Sequence, residues 1–170
     1  MTVVIAARNE AANIAACVES VSWASEILVV EDGSIDGTRE IAAAAGAHVI
    51  ANPFATIGLQ RNAAIDRAKC AWILAVDAYE RGAEALGDEI ESVISAAVHD
   101  AYRVPRANWF LGREVRHGGW ERDKPVRLFR STIRYNSNRV HESVDVAGTV
   151  GELSANLVHE PYASLDSWCE

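Results

Sequence analysis

The sequence lacks the glycine-rich loops with which many proteins hold a nucleotide. Its first apolar run, residues 3–7, continues into Arg8, Asn9 and Glu10, and neither a Gly-x-Gly-x-x-Gly nor a Walker A pattern follows. A Rossmann dinucleotide site needs those glycines because the pyrophosphate approaches the backbone closely, and a P-loop cradles phosphates through its own glycines and lysine. These absences disfavour nicotinamide, flavin and P-loop chemistry.

Cysteine is scarce, and long apolar runs are absent. Cys17, Cys70 and Cys169 are odd in number and have no metal-ligand spacing, which favours reduced thiols over disulfides or a zinc site. No apolar run reaches the roughly 20 residues that span a bilayer, and residues 1–5 do not begin a signal peptide. We therefore expect a cytoplasmic protein, which can also work at the inner face of the membrane.

Acidic residues outnumber basic ones, but the basic residues are concentrated in one segment. The net charge is −8, whereas the stretch from Arg103 to Arg139 (the basic segment) holds ten of the sixteen basic residues and three acids, a charge of +7. Such a surface predicts an anionic partner, for example a diphosphate, an anionic glycan or a membrane face. The alternative is a solvated segment with scattered ion pairs. Nucleic acid is disfavoured because the whole chain is acidic.

Apolar runs alternate with helical patterns in the first part of the chain. The whole chain has 170 residues, a length that suits one domain. The predicted strands are 3–7, about 26–30, 48–50, 71–76 and a short one around Tyr102. Alternation with helices predicts an α/β fold, with a mostly parallel sheet covered on both faces. Asn9 and Asp36 are the predicted caps of the first two helices. We expect an α/β half at 1–104, followed at 105–170 by a segment of loops and antiparallel strands in the same domain.

Acidic turns follow two of the predicted strands. Glu31 and Asp32 come directly after the second strand, and residues 77–80 (Asp-Ala-Tyr-Glu) follow the fourth. In open α/β sheets, ligands bind in the crevice beyond the carboxyl ends of the strands. Carboxylates at two such ends suit a base or ribose at one position and a metal-bound diphosphate at the other. The pattern favours a nucleotide-sugar enzyme.

Seven short motifs follow one another along the chain. They are Ala-Ala-Arg-Asn-Glu at 6–10, Glu-Asp-Gly-Ser-Ile-Asp-Gly-Thr at 31–38, Leu-Gln-Arg-Asn at 59–62, Asp-Ala-Tyr-Glu at 77–80, His-Gly-Gly-Trp at 117–120, Val-Arg-Leu-Phe-Arg at 126–130 and Val-His-Glu at 140–142. Together they resemble a family 2 glycosyltransferase of the GT-A fold, and the last three are similar to lipopolysaccharide core glycosyltransferases of the WaaE type. The resemblance implies a mostly parallel central sheet flanked by helices, with an appended loop-rich, antiparallel acceptor part. It also implies that the chain is truncated at its C-terminus relative to the family.

The resemblance implies a nucleoside-diphosphate sugar as the donor. Asp32 best matches the family's acidic position for the base and ribose, whose N–H and hydroxyl groups donate to carboxylates; a turn-capping role is its alternative. Arg61, before Asn62, offers a planar cation to a phosphate, with a helix-surface ion pair as the alternative. The expected nucleotide-sugar-binding residues are Ala7, Asn9, Glu10, Glu31, Asp32, Arg61 and Asp77.

Asp77 matches the first carboxylate of the family's Asp-x-Asp motif, which holds Mg²⁺ or Mn²⁺ on the diphosphate. Tyr79 stands where the second acid is expected, and a neutral phenol is a poor metal ligand. The resemblance therefore implies a weak metal site of Asp77 and Glu80, or a cation from the basic segment in place of the metal. A catalytically weakened nucleotide-sugar-binding module is the alternative to an active enzyme.

The resemblance places the catalytic base in the second half of the chain. Inverting transfer needs a base on the acceptor hydroxyl, opposite the departing diphosphate. Glu142 is the expected base, and His141 is the alternative base. Asp77 would take part in catalysis through the metal. A salt bridge is the alternative, non-catalytic role for Glu142. The residues expected to bind the acceptor are His117, Trp120, for which buried packing is the alternative, and Arg127.

We therefore expect an inverting hexosyl- or heptosyltransferase of lipopolysaccharide or other cell-envelope biosynthesis. It would move a sugar from a nucleoside-diphosphate sugar to an anionic glycan or a lipid-linked acceptor. A nucleotidyltransferase that uses the same carboxylates is a further alternative, against which stands the lack of a glycine-rich, basic loop after the first strand.

Overall fold

The computed structural model describes residues 1–52, 56–119, 123–138 and 142–160, and its centre is a seven-stranded sheet. The strands in chain order are β1 (Thr2–Ala7), β2 (Glu26–Glu31), β3 (His48–Ala51), β4 (Trp72–Asp77), β5 (Glu80–Gly82), β6 (Ala101–Arg103), β7 (Arg106–Phe110), β8 (Arg113–Glu114), β9 (Val126–Arg130), β10 (Val150–Glu152) and β11 (Leu157–His159). The central sheet has the order β10-β6-β9-β4-β1-β2-β3. Because β4, β1, β2 and β3 pair in parallel, their carboxyl ends lie at one edge of the sheet.

Helices cover both faces of the central sheet. They are α1 (Ile14–Ser20), α2 (Thr38–Ala44), α3 (Ile57–Ile65) and α4 (Glu84–Ala96). Side chains alternate along a strand, so Ile5 of β1 belongs to one core cluster with Val18 of α1 and Leu86 of α4, while Val4 belongs to another with Ile65 of α3. The predicted α/β fold with a mostly parallel sheet is confirmed. Within the described ranges, none of these helices has the length and apolar character to cross a membrane.

The second half of the chain completes the central sheet and builds most of a second one. β9 lies between β4 and β6 and is antiparallel to both, and β10 pairs with β6. The second sheet has the order β5-β11-β7-β8. Residues on both sides of position 104 therefore contribute to both sheets.

The loop after β1 differs from its prediction. α1 begins at Ile14, so the prediction that Asn9 caps this helix is wrong. Asn9 has a positive φ of 54°, which asparagine tolerates better than most residues, and its Oδ1 accepts a hydrogen bond from the Ile35 amide at 3.1 Å. The N-cap position of α2 is Gly37 and not the predicted Asp36, although Asp36 Oδ1 accepts a hydrogen bond from the Thr38 amide at 3.1 Å. Asn9 therefore joins the loops that follow β1 and β2 instead of starting a helix.

Candidate active site

A cavity of about 830 Å³ opens at the carboxyl edge of the central sheet. β1, β2 and β4 are neighbours there, with Ala6 opposite Asp77 and Ala7 opposite Glu31. Such an edge is where open α/β sheets bind ligands. Five of the seven predicted nucleotide-sugar-binding residues line this cavity: Ala7, Glu10, Asp32, Arg61 and Asp77. The other two, Asn9 and Glu31, are not part of the lining that the described residues form.

At the end of β2, one acidic residue lines the cavity and the other supports the turn. Asp32 lines the cavity, and its Oδ2 lies 3.6 Å from Arg8 Nη1. Glu31 is buried and accepts a hydrogen bond from Arg39 Nη2 at 2.7 Å. Burial alone would raise the pKa of Glu31, but hydrogen bonds from Arg39 and the Ser34 amide hold it below its ordinary value. Glu31 therefore braces the turn that carries Asp32.

The carboxylate of Asp77, at the end of β4, contacts three arginines. Arg127 Nη2 donates to Oδ2 at 2.5 Å, Arg106 Nη2 donates to the same oxygen at 3.2 Å, and Arg61 Nη2 donates to Oδ1. Burial would raise the pKa of Asp77, but Arg127 and Arg61 outweigh it and hold the pKa well below its ordinary value. Asp77 is therefore an ionised carboxylate with both oxygens engaged.

Glu80, at the start of β5, is fully buried beside Asp77. Its Oε2 accepts a hydrogen bond from the Asp77 amide at 2.8 Å. Its Oε1 lies 2.7 Å from Arg106 Nε and 3.4 Å from Arg127 Nη2. Burial raises the pKa of Glu80, and the charge of Arg127 offsets this only in part. Glu80 thus closes the turn after β4 and helps to hold two of the arginines.

Arg61 connects Asp77 to the predicted base. Its Nη1 donates to Glu142 Oε1 at 2.9 Å, so one guanidinium group contacts both carboxylates. The same group lies over the ring of Tyr135, with 5.0 Å between Cζ and the ring centroid. The salt bridge that was the alternative role for Glu142 is therefore present. Since Glu142 also lines the cavity, this ion pair is compatible with a catalytic role.

α3 holds the chain near Glu142 through the side chain of Asn62. Asn62 Nδ2 donates to the Tyr135 carbonyl at 2.9 Å, and the Tyr135 amide donates to Asn62 Oδ1 at 2.9 Å. Tyr135 in turn forms a β-bridge with Val144. A Cβ atom at Gly58 would lie 2.6 Å from the carbonyl oxygen of Asn136, so the first turn of α3 requires a glycine at this contact. α3 therefore positions the segment that carries the predicted base.

The predicted acceptor-binding residues are not brought together in the described structure. Arg127 contacts Asp77 and lines the same cavity as the predicted donor residues. His117 is exposed and lies outside the lining formed by the described residues. Trp120 and the alternative base His141 lie outside the described residues.

The charge of the basic segment is divided between the cavity and surface ion pairs. Arg103, Arg106 and Arg127 line the cavity. The surface pairs are Arg116–Glu114, Lys124–Glu152 and Arg134–Asp66. Part of the segment is therefore available to an anionic partner, and part of it forms surface ion pairs, as the alternative interpretation expects. Arg106 belongs to the site although no local motif marks it, and the arginine content of the segment was the only signal for it.

The resemblance implies that Tyr79 stands at the position of the family's second metal-binding acid. It lines the cavity, and its ring packs edge-on against His159 with 5.3 Å between the centroids. Burial raises the pKa of Tyr79 well above its ordinary value, so its hydroxyl stays a neutral phenol. In the part of the chain that the structure describes, no three His, Cys, Asp or Glu side chains are grouped as metal ligands. With arginines on their oxygens, Asp77 and Glu80 do not fit a divalent cation.

Known proteins resemble this chain over most of its length. Residues 2–140 match Glycosyl transferase family 2. The chain is 28% identical over 160 residues to a lipopolysaccharide core biosynthesis glycosyltransferase of Rhizobium meliloti (strain 1021), covering 89% of this chain and 59% of that protein. It is 34% identical over 176 residues to an uncharacterized glycosyltransferase of Rickettsia prowazekii (strain Madrid E), covering 95% of this chain and 60% of that protein. The chain thus spans about three-fifths of the length of these relatives.

Solved structures share the fold at low sequence identity. S. aureus TarS 1–349 in complex with UDP-GlcNAc superposes with a TM-score of 0.69 at 16% identity, covering 99% of this chain and 60% of that one. Glucosyl-3-phosphoglycerate synthase from Mycobacterium tuberculosis, in complex with Mn²⁺, UDP and glucosyl-3-phosphoglycerate, gives 0.52 at 19% identity, with coverages of 62% and 43%. These likenesses confirm the predicted GT-A fold. Together with the match over residues 2–140, they show that the chain belongs to glycosyl transferase family 2.

Proposed function

We propose that the chain binds a nucleoside-diphosphate sugar and carries the catalytic centre of an inverting glycosyltransferase. The observation that carries this proposal is the convergence of Asp32, Asp77 and Glu142 on one cavity at the carboxyl edge of the sheet. The TarS structures with UDP and with UDP-GlcNAc support the class of donor. The relative named for lipopolysaccharide core biosynthesis supports a cell-envelope glycan or a lipid-linked acceptor.

The nucleotide would lie along the ends of β1 and β2. Asp32 accepts hydrogen bonds from the base or the ribose, since a carboxylate is an acceptor for imide N–H and hydroxyl groups. The diphosphate then extends toward the end of β4, where Arg61 offers a planar cation. This placement follows from the order of the strands. β1 lies between β2 and β4, so a ligand that extends from Asp32 toward Asp77 crosses the end of β1.

The reaction is a direct displacement at the anomeric carbon of the donor sugar. The Glu142 carboxylate takes the proton of the acceptor hydroxyl, whose oxygen bonds to the anomeric carbon on the face opposite the diphosphate. The bond from that carbon to the diphosphate oxygen breaks, and the diphosphate departs with the electron pair. Because Arg61 holds one oxygen of Glu142 at 2.9 Å, the carboxylate is oriented before the acceptor binds.

A nucleotide-sugar-binding module with little transferase activity is the second candidate. Tyr79 is the observation that favours it, because this chain has a phenol where the family's metal site has an acid. Such a module would bind the donor in the same cavity without turnover.

A transfer assay separates these candidates. The chain is incubated with UDP-, GDP- and ADP-hexoses labelled in the sugar, and with a cell-envelope lipid extract as the acceptor. We expect label in the lipid fraction, linked with inverted anomeric configuration. Glu142→Gln should slow transfer by about a hundredfold or more, because it removes the base, while donor affinity is unchanged. Arg67→Gln, at an exposed position near the end of α3, is the control and should behave as the unmodified chain.

The assay also has contrary outcomes. Donor binding without transfer by the unmodified chain would favour the binding module. Transfer by Glu142→Gln at the unmodified rate would exclude Glu142 as the base.

A further inference from the structure

We propose that three guanidinium groups, those of Arg61, Arg106 and Arg127, neutralise the diphosphate of the donor without a divalent cation. In this arrangement, Asp77 and Glu80 hold the arginines instead of a metal. The inference rests on the proposed function, because it assigns the charge partner of the donor that the proposed function requires.

The carboxylates of Asp77 and Glu80 are already engaged. Both oxygens of Asp77 accept from arginines, and both oxygens of Glu80 are in contact with arginines or the Asp77 amide. Mg²⁺ needs hard oxygen ligands in near-ideal octahedral geometry. A cation at this position would have to displace arginines from buried carboxylates, and breaking one partner out of a buried ion pair is strongly unfavourable.

The three arginines come from different elements and meet at one point. Arg61 lies on α3, Arg106 on β7 and Arg127 on β9, and all three line the cavity. Their convergence is therefore a property of the fold and not of a local run of basic residues. A planar guanidinium fork matches the oxygens of a phosphate better than a point charge does.

Two of the arginines carry buried N–H donors without a partner in the described part of the chain. Arg61 and Arg127 are each 4% exposed, and the Nε–H group of each has no hydrogen-bond partner among the described residues. A buried donor without a partner is unfavourable, and a bound anion that accepts from it removes that cost. Because a guanidinium carries more N–H donors than Asp77 uses, each arginine can bind its carboxylate and a phosphate oxygen together.

The arrangement has a consequence for the reaction. Negative charge develops on the diphosphate as it leaves, and preorganised positive groups in a site that excludes water stabilise such charge most effectively. Asp77 fixes the three groups before the donor arrives. It is therefore a positioning residue in this proposal.

The test is calorimetric titration of the unmodified chain with UDP, GDP, CDP and ADP, once with EDTA and once with Mn²⁺. The tightest of the four nucleotides is then used throughout. We expect its Kd with EDTA and with Mn²⁺ to agree within about threefold. Mn²⁺ electron paramagnetic resonance, which reports free aqueous Mn²⁺, should show that the chain with bound nucleotide takes up no stoichiometric metal.

Variants identify the arginines as the phosphate partners. Arg106→Gln should weaken nucleotide binding about tenfold or more with EDTA present, because a charge-assisted hydrogen bond to phosphate is lost. Arg106→Lys keeps the charge but loses the fork and should give an intermediate Kd. Arg67→Gln is the matched control and should leave the Kd unchanged. The comparison of EDTA with Mn²⁺ needs no variant, so it remains decisive if Arg106→Gln does not fold.

Two outcomes would overturn the inference, and they are distinguishable. If a nucleotide binds only with Mn²⁺, and stoichiometric Mn²⁺ uptake accompanies it, the arginine proposal is wrong and the proposed function stands. If none of the four nucleotides binds under either condition, the proposed function fails and the inference fails with it.

Discussion

At the scale of single residues, Asp77 has the greatest influence on the site because its carboxylate contacts three guanidinium groups. Without its cation, a metal-binding carboxylate is ordinarily repelled by the other acidic ligands. Replacing it with a neutral residue then removes this repulsion. A carboxylate that holds buried arginines has the opposite effect, since its loss leaves positive charges without partners. The stability of a variant therefore distinguishes the two roles without any ligand.

We predict that Asp77→Asn lowers the free energy of unfolding by about 3–5 kcal/mol at neutral pH, the range for breaking a buried ion pair. The pKa of Asp77 is lowered in the folded state, so its contribution to stability is present above the ordinary carboxyl pKa and is lost as the pH falls below it toward the folded-state value. The difference between the unmodified chain and Asp77→Asn should thus shrink in acid. Urea unfolding at neutral and acid pH measures both effects.

Asp66→Asn is the control for this prediction. Asp66 is 63% exposed and pairs with Arg134 at 2.8 Å, and an exposed pair contributes at most about 1 kcal/mol. An Asp77→Asn variant as stable as the unmodified chain at neutral pH would show that Asp77 does not hold the arginines.

The motifs identified only part of the residues at the site. Arg61, Asp77 and Glu142 were predicted, and the structure brings them into contact. Arg106 and Tyr135 were not, because neither lies next to a motif and both reach the cavity only through pairings of distant segments. These contacts depend on the fold, so local sequence could not reveal them.

At the scale of elements, α3 both supplies Arg61 and fixes the segment with the predicted base. We predict that Asn62→Ala slows transfer about tenfold or more while the donor Kd stays within about threefold, because it removes both hydrogen bonds to the Tyr135 backbone and leaves these part-buried backbone groups without their partners. Kinetics and calorimetry on the same preparation measure this split. Arg67→Gln, at the exposed position just after α3, is the control, and equal losses in transfer and donor affinity would contradict the positioning role.

The ends of β2 and β4 were predicted more accurately than the start of α1. β2 and β4 end within one residue of their predicted positions because short apolar runs have sharp polar boundaries. α1 begins four residues later than the Asn9 cap implied, since the intervening chain bonds to the loop after β2. The position of β9 between β4 and β6 was not predicted, because strand order depends on tertiary pairing.

At the scale of the whole molecule, the basic segment has a positive net charge in an otherwise acidic chain. The structure places part of its charge in the cavity and part in surface ion pairs, so the exposed positive charge is smaller than +7. We predict weak binding to phosphatidylglycerol vesicles at low salt that is lost as salt rises, since the screening length falls from about 30 Å at 0.01 M to about 10 Å at 0.1 M. Co-sedimentation measures it, with phosphatidylcholine vesicles as the control. Binding that does not depend on salt would contradict an electrostatic membrane contact.

The cavity at the carboxyl edge is proposed to bind the nucleotide of a nucleoside-diphosphate sugar, and titration calorimetry tests this most directly. UDP-, GDP- and ADP-sugars are titrated into the unmodified chain, into Asp32→Ala and into the exposed control Asp66→Ala. We expect that one class binds and that Asp32→Ala weakens its binding roughly tenfold to a hundredfold, because a hydrogen bond to a charged group is lost. Asp66→Ala should bind like the unmodified chain. Equal affinity of Asp32→Ala and the unmodified chain, or no binding of any nucleotide sugar, would contradict it.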